Sequence, residues 1–160
     1  MRACAGLLLL ACLACASCGP TVDVSKGLEV RQVSTGWFDA GIVNGQNKLV
    51  PSISFTLTNV STQKLAVLQV NALFRRVTEK EEWGSGYLPV VGTEGLAPSM
   101  TTSTVTIRSQ NGYTGADQTR EDMLHNSHFV DAEVELFAKY GSTQWKRIGE
   151  YPVTRRLITK

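Results

Sequence analysis

Four cysteines, Cys4, Cys12, Cys15 and Cys18, open a chain of 160 residues, and no cysteine follows them. A thiol can be a nucleophile, a metal ligand or half of a disulfide, and its position decides among these uses. Disulfides that staple a small domain are spread through its folded part, which these are not. Cys12-Leu13-Ala14-Cys15 has CxxC spacing, but no second pair and no neighbouring histidine completes a redox or metal site.

The other chemistry-bearing residues are sparse. His125 and His128 are the only histidines, and Asp117, Glu121, Asp122 and Asp131 lie near them in sequence. Imidazole and carboxylate are donors that a divalent ion accepts, so His125 and His128 are the candidate metal ligands. The same spacing suits a solvated loop, and the expectation is no metal and no cofactor. Glu133 and Glu135 project from one face of one strand, whereas hydrolysis by paired carboxylates needs two acids across a cleft. Gly112-Tyr113-Thr114-Gly115 is a surface turn rather than a phosphate cradle, because no strand and helix flank it. No nucleophile elbow or HExxH pattern is present. These residues point away from an enzyme. Sixteen Lys and Arg against fourteen Asp and Glu give a net charge of +2, which excludes nucleic acid as the main partner. Trp83, between Glu81-Glu82 and Gly84, is the candidate partner contact, while Trp37 and Trp145 are expected in or under the core. Lys146, Arg147, Arg155, Arg156 and Lys160 form a modest basic tail, suited to anionic headgroups or to protecting a sheet edge.

The leader accounts for the cysteines. Met1-Arg2 is a short positive segment, and residues 5–14 (AGLLLLACLA) are an apolar run. A bilayer-spanning helix needs about 20 apolar residues, so this run has the length of a secretory signal. Cleavage after Ala14-Cys15-Ala16 or after Ser17 would release a soluble protein. Cys15-Ala16-Ser17-Cys18 also resembles the lipobox of bacterial lipoproteins, with Cys15 standing where Leu is usual; Cys12-Leu13-Ala14-Cys15 is a second register. The resemblance implies a signal peptide over 1–17, a thioether-linked lipid on Cys18 and a further acyl chain on the new amino terminus. Two chains suffice for stable membrane attachment. Gly19, in place of Asp, favours the outer membrane.

These residues need a scaffold, and the pattern behind the leader is one of short strands. Residues 18–27 read as a polar tether and 28–160 as one domain, the size a single core supports. LEVRQVSTGWF (28–38) reads as a first strand, followed by a turn-rich piece with Asn44-Gly45 as a hairpin signal. SISFTLTNV (52–60) alternates with Ile53, Phe55 and Leu57 on one face. LAVLQVNALFRR (65–76) turns Ala66, Leu68, Val70, Ala72 and Phe74 inward. YLPVVG (87–92) reads as an edge strand because Pro89 lacks a donor, and a strand follows near 101–109. FVDAEVELFAKY (129–140) alternates throughout, with Val130, Ala132, Val134, Leu136, Ala138 and Tyr140 on one side. QWKRIGEYPVTRRLI (144–158) closes the series, with Trp145, Arg147, Gly149, Tyr151 and Val153 sharing a parity. Residues 115–127 alone suit a short helix, capped by Asp117 or Thr119. About seven strands without βαβ spacing predict an all-β, immunoglobulin-like antiparallel sandwich.

SFTLTNVSTQKLAVLQVNALFR resembles FxLYD and fibronectin-like domains of bacterial envelope proteins, over roughly residues 50–110. Asn59, ending an inward-alternating strand before a tight turn, and the Ala97-Pro98-Ser99-Met100 turn carry the likeness. It implies a module without catalytic activity. The expectation is therefore a lipid-anchored bacterial envelope protein, on the outer membrane and facing the periplasm. It would act as a non-enzymatic binding or accessory subunit with a protein partner. The alternative is carriage of a small apolar or lipid ligand in a cavity lined by residues such as Phe55, Leu68, Phe74, Val134 and Leu136; a metal-dependent enzyme comes third.

Overall fold

Asn44-Gly45 closes the longest hairpin. Both residues have positive φ (51° and 78°), as a two-residue turn matched to strand twist requires. The computed structural model describes residues 21–159, so the Cys18 expectation lies outside the described residues. The turn joins β1 (Leu28–Val43) to β2 (Gln46–Asn59), antiparallel from Leu28–Asn59 to Val43–Gln46. β1 is five residues longer than its alternation suggests. Register shifts fall between Arg31 and Ser34 and between Asp39 and Ile42, each accompanied by a left-handed residue, Gln32 or Gly41. Such bulges insert a residue and flip the facing side chains, which hides the strand from a period-two reading.

β3 (Leu68–Arg76) and β7 (Ala132–Tyr140) pair along their whole length. β4 (Gly84–Val91) lies on the outer side of β3, and β8 (Lys146–Pro152) on the outer side of β7. β5 (Val105–Arg108) and the short β6 (Tyr113–Gly115) pair with β2, and β9 (Leu157–Ile158) runs parallel to β1 at Trp37 and Phe38. One sheet is thus β5-β2-β1-β9 with β6 attached, and the other is β4-β3-β7-β8. With β1, β2 and β5 in the places of immunoglobulin strands A, B and E, and β3, β4, β7 and β8 as C, C′, F and G, the connectivity is immunoglobulin-like. The described residues hold nine strands, two of them only two or three residues long.

Between the sheets, Ile53, Phe55 and Leu57 of β2 meet Leu68, Val70, Ala72 and Phe74 of β3 and Val134, Leu136 and Ala138 of β7, all fully buried. Each large apolar side chain removed from water contributes about 1.5–3 kcal/mol. The alternation expected for 52–60, 65–76 and 129–140 holds through these strands. It fails ahead of two of them: Leu65 is buried in place of Ala66, because β3 begins at Leu68, and Phe129 is buried because β7 begins at Ala132 and the preceding loop turns the ring inward. Gly84 and Gly86 let β4 approach the other sheet. A Cβ on Gly86 would meet the Ile107 side chain and the Arg108 carbonyl, and one on Gly84 the Ser109 hydroxyl.

The C-terminal segment is two strands. A register shift places Arg147 opposite Phe137 but Gly149 opposite Leu136, which breaks the shared parity at Ile148. The chain then crosses to the other sheet: Thr35 Oγ1 donates to the Pro152 carbonyl (2.9 Å) and Trp37 N–H donates to the Arg156 carbonyl (2.7 Å). At the other extreme the chain is packed before residue 28. A single helical turn, α1 (Val24–Gly27), buries Val24, and Val22 N–H donates to the Tyr140 hydroxyl (2.7 Å).

Candidate functional site

The sandwich has two unlike ends. The tether end gathers Thr21–Gly27, the Asn59–Val67 turn, the Gly92–Met100 loop and the turn from β7 to β8. Val60 N–H donates to the Gly27 carbonyl, Asn59 N–H to the Met100 carbonyl and Gly141 N–H to the Val67 carbonyl, which ties these segments together. Asn59 is the hub. Fully buried, its side-chain amide donates to the carbonyls of Gln63 and Leu96 (both 2.8 Å), and its carbonyl accepts from Ser61 N–H and Oγ (3.0 and 2.7 Å). Its position at the strand end was legible; its burial was not.

The far end is closed by aromatic rings. Trp37, fully buried on β1, meets Phe129 edge-on at 4.6 Å, Tyr113 at 5.6 Å and Trp83 at 6.1 Å; Tyr113 in turn meets Trp83 at 4.9 Å and Phe129 at 4.7 Å. Guanidinium groups flank the cluster, Arg76 5.5 Å from the Trp83 ring centre and Arg155 5.0 Å from that of Phe129. Arg155 also donates to the Asp131 carboxylate (2.6 Å) and to the carbonyls of Leu124 and Phe129. Arg155 therefore holds loops at the far end and Arg156 donates to Ser34 and Thr35 of β1, while Lys146 and Arg147 lie at the start of β8, so the basic residues near the C-terminus do not form one patch.

Trp83, the sequence-level partner contact, is half-buried in this cluster rather than displayed. The exposed tryptophan is Trp145, expected in or under the core. It remains 38% exposed on the outer face of the second sheet, with Tyr87 at 6.3 Å and the Lys139 ammonium 5.0 Å from its ring centre. Flanking charges in sequence do not reveal which ring a loop folds inward. Glu135 was read as solvated, yet it is 8% exposed, clamped between Arg75 (2.5 Å) and Arg147 (3.0 Å), with Glu150 also on Arg147 (2.8 Å). A charge held so is a structural ion pair.

The histidines lie by the far end. α2 (Arg120–His125) starts at Thr119 with a reciprocal capping box to Asp122. His125 sits at its last turn with Nδ1 2.9 Å from the Glu121 carbonyl oxygen and its side chain 74% exposed. His128 borders an open surface recess of about 250 Å³ with Tyr113, Met123 and Phe129. Among the described residues, no three of His, Cys, Asp and Glu come together as a metal-binding group. Hydrogen bonds from the Thr119 hydroxyl and backbone N–H hold the Asp122 carboxyl below the usual carboxylate range. A depressed folded-state pKa adds stability above the unfolded value and loses it as pH falls through the folded value. Acidification through the carboxylate range should therefore fray α2 while the sandwich stays folded. Amide exchange at Met123, compared with Val70 in β3, measures this.

The residues proposed to line a carrier cavity, Phe55, Leu68, Phe74, Val134 and Leu136, are all 0% exposed and fill one core. No helix among the described residues is long and apolar enough to cross a membrane. No family model matches the chain, nor does any curated protein. A solved structure, the X-ray structure of a Northeast Structural Genomics Consortium target, is similar over 82% of this chain and 89% of that one, with 14% identity and a TM-score of 0.47.

Proposed function

We propose that the chain is a lipid-anchored protein of the bacterial envelope whose sandwich acts by binding, as an accessory or structural subunit of an envelope assembly. Its place in this reading is the outer membrane, facing the periplasm. The observation that carries the proposal is the distance in sequence between the lipobox-like cysteine and the fold. Cys18 lies three residues before Thr21, and by Val22 the backbone is hydrogen-bonded to Tyr140. A lipid on Cys18 would hold the domain close to a bilayer, as suits a subunit working at the membrane. The filled core supports binding through the surface over carriage of a ligand between the sheets.

The test is fractionation of cells expressing the full chain or Cys18→Ala, with crosslinking in the envelope. The wild type is expected in the membrane fraction with one stoichiometric partner, and Cys18→Ala in the soluble fraction with the partner largely lost. Equal membrane retention of the two would overturn the anchor. Recovery of lipid or another small molecule without a protein partner would overturn the binding-subunit reading in favour of carriage.

A further inference from the structure

We infer that the tether end of the sandwich is a docking face for an anionic phospholipid bilayer, so that the domain rests on the membrane with its aromatic end pointing away. This rests on the lipid-anchored reading and adds an orientation and a surface chemistry to it.

Three observations carry it. The first is reach. Three residues of extended chain span at most about 10 Å, so a lipid on Cys18 would keep Thr21 within about one Debye length of the headgroups at physiological salt. The domain cannot hang far from the surface.

The second is apolar exposure. Val60 is 50% exposed, Val67 37% and Met100 56%, and the backbone hydrogen bonds described above place all three at the tether end. Trp145 follows the turn from β7 to β8, which shares a surface recess with Thr21–Val24 at this end, and its own ring lies round the corner on the outer face of the second sheet, against Lys139. Tryptophan is favoured at headgroup depth, where its ring is apolar and its N–H stays wet.

The third is charge. Lys26, Lys64 and Lys146 are exposed at this end, with Lys139 half-exposed against the Trp145 ring. The two exposed acids among the same segments, Asp23 accepting from Ser25 N–H (3.0 Å) and Glu94 from Gly92 N–H (2.9 Å), stay ionised near Lys26, Lys146 and Lys64 and offset part of this charge, so that the four lysines leave a positive excess. Glu79, Glu81 and Glu82 follow β3, whose last residues point toward the far end, and Asp117 and Glu121 flank the start of α2 there. That end also exposes apolar side chains, Ile42, Val43 and Val77. The far end is thus the poorer match to an anionic surface and the better one to a protein partner. Lysines placed around exposed apolar side chains suit a bilayer, where each basic residue near the surface strengthens binding about fivefold.

The test uses the full-length chain purified from membranes and reconstituted in phosphatidylcholine vesicles with and without phosphatidylglycerol. Once Cys18 carries lipid, the chain beyond it has no other cysteine, so Met100→Cys and Ile42→Cys each accept one spin label. Collision with a water-soluble nickel chelate and with lipid-soluble oxygen reports depth. At position 100 the label is expected to be shielded from nickel and open to oxygen, more so with phosphatidylglycerol, while at position 42 it stays water-exposed. Neutralising one charge in Lys64→Gln should weaken docking about fivefold without changing the fold. Equal nickel access at both positions, with the protein still sedimenting with the vesicles, would overturn the docking face and leave the anchor standing. If wild type and Cys18→Ala partition alike, the anchor falls and this orientation falls with it.

Discussion

Asn59→Leu should lower the stability of the domain by about 3–6 kcal/mol, although leucine is similar in size and apolar. The amide is fully buried and supplies both donors to the carbonyls of Gln63 and Leu96, while its oxygen accepts from Ser61. Leucine would leave these backbone groups without that partner, and an unsatisfied buried polar group costs about 1–3 kcal/mol. Natural domains of this size are stable by about 5–15 kcal/mol, so thermal unfolding should begin markedly earlier. Asn59→Asp is the informative companion. It keeps the acceptor for Ser61 but turns an oxygen toward two carbonyl oxygens, so it should be no milder than leucine at neutral pH. Ser61→Ala removes one hydroxyl and should cost only about 1 kcal/mol. Urea unfolding of the three variants measures the order. If Asn59→Leu came within 1 kcal/mol of wild type, the hub would be a local turn and not the tie that holds the tether end together.

That hub shows what the sequence could and could not disclose. The asparagine at the end of an alternating strand stood out only through the resemblance carried by residues 50–110, which places an Asn before a short turn. The partners on residues 63 and 96 come from separate loops, and only the fold brings them together. β2, β3 and β7 were legible for a simple reason: one face of each lies against the other sheet, so alternation follows burial. β1 was legible only in part, because bulges at Gln32 and Gly41 reset which side faces inward. β9 has two residues, too few for any pattern, and exists through its parallel pairing with Trp37 and Phe38. The short helix was foreseen, and Thr119 rather than Asp117 caps it because its hydroxyl and Asp122 satisfy each other's backbone donors. The tryptophans were misassigned for a physical reason. Trp83 and Trp145 both sit in polar sequence, and which one turns inward depends on Trp37, Tyr113 and Phe129 meeting at one end, contacts that cross 92 residues of chain from Trp37 to Phe129.

The aromatic end yields the second large effect. Trp37→Ala should cost about 3–5 kcal/mol, the range for truncating a large buried ring, because it removes the ring that Trp83, Tyr113 and Phe129 all touch. Trp37→Phe should cost much less. The indole N–H is buried and has no hydrogen-bond partner among the described residues, so phenylalanine gives up volume but no satisfied polar contact, and it removes an unpaired donor. A ratio near one between the two variants would mean that the site tolerates no loss of volume and that the unpaired N–H matters little. Fluorescence separates opening of this end from global unfolding. In Trp37→Ala the emission comes from Trp83 and Trp145, and Trp145 is exposed from the start. A red shift under conditions where β-sheet circular dichroism is unchanged therefore reports release of Trp83 into water. On the proposal that Cys18 carries lipid, membrane retention should be unaffected, since Thr21–Gly27 pack at the opposite end of the sandwich. Retention intact with partner crosslinking lost would place the partner on the aromatic end, and loss of both would instead mean that the two ends unfold as one unit.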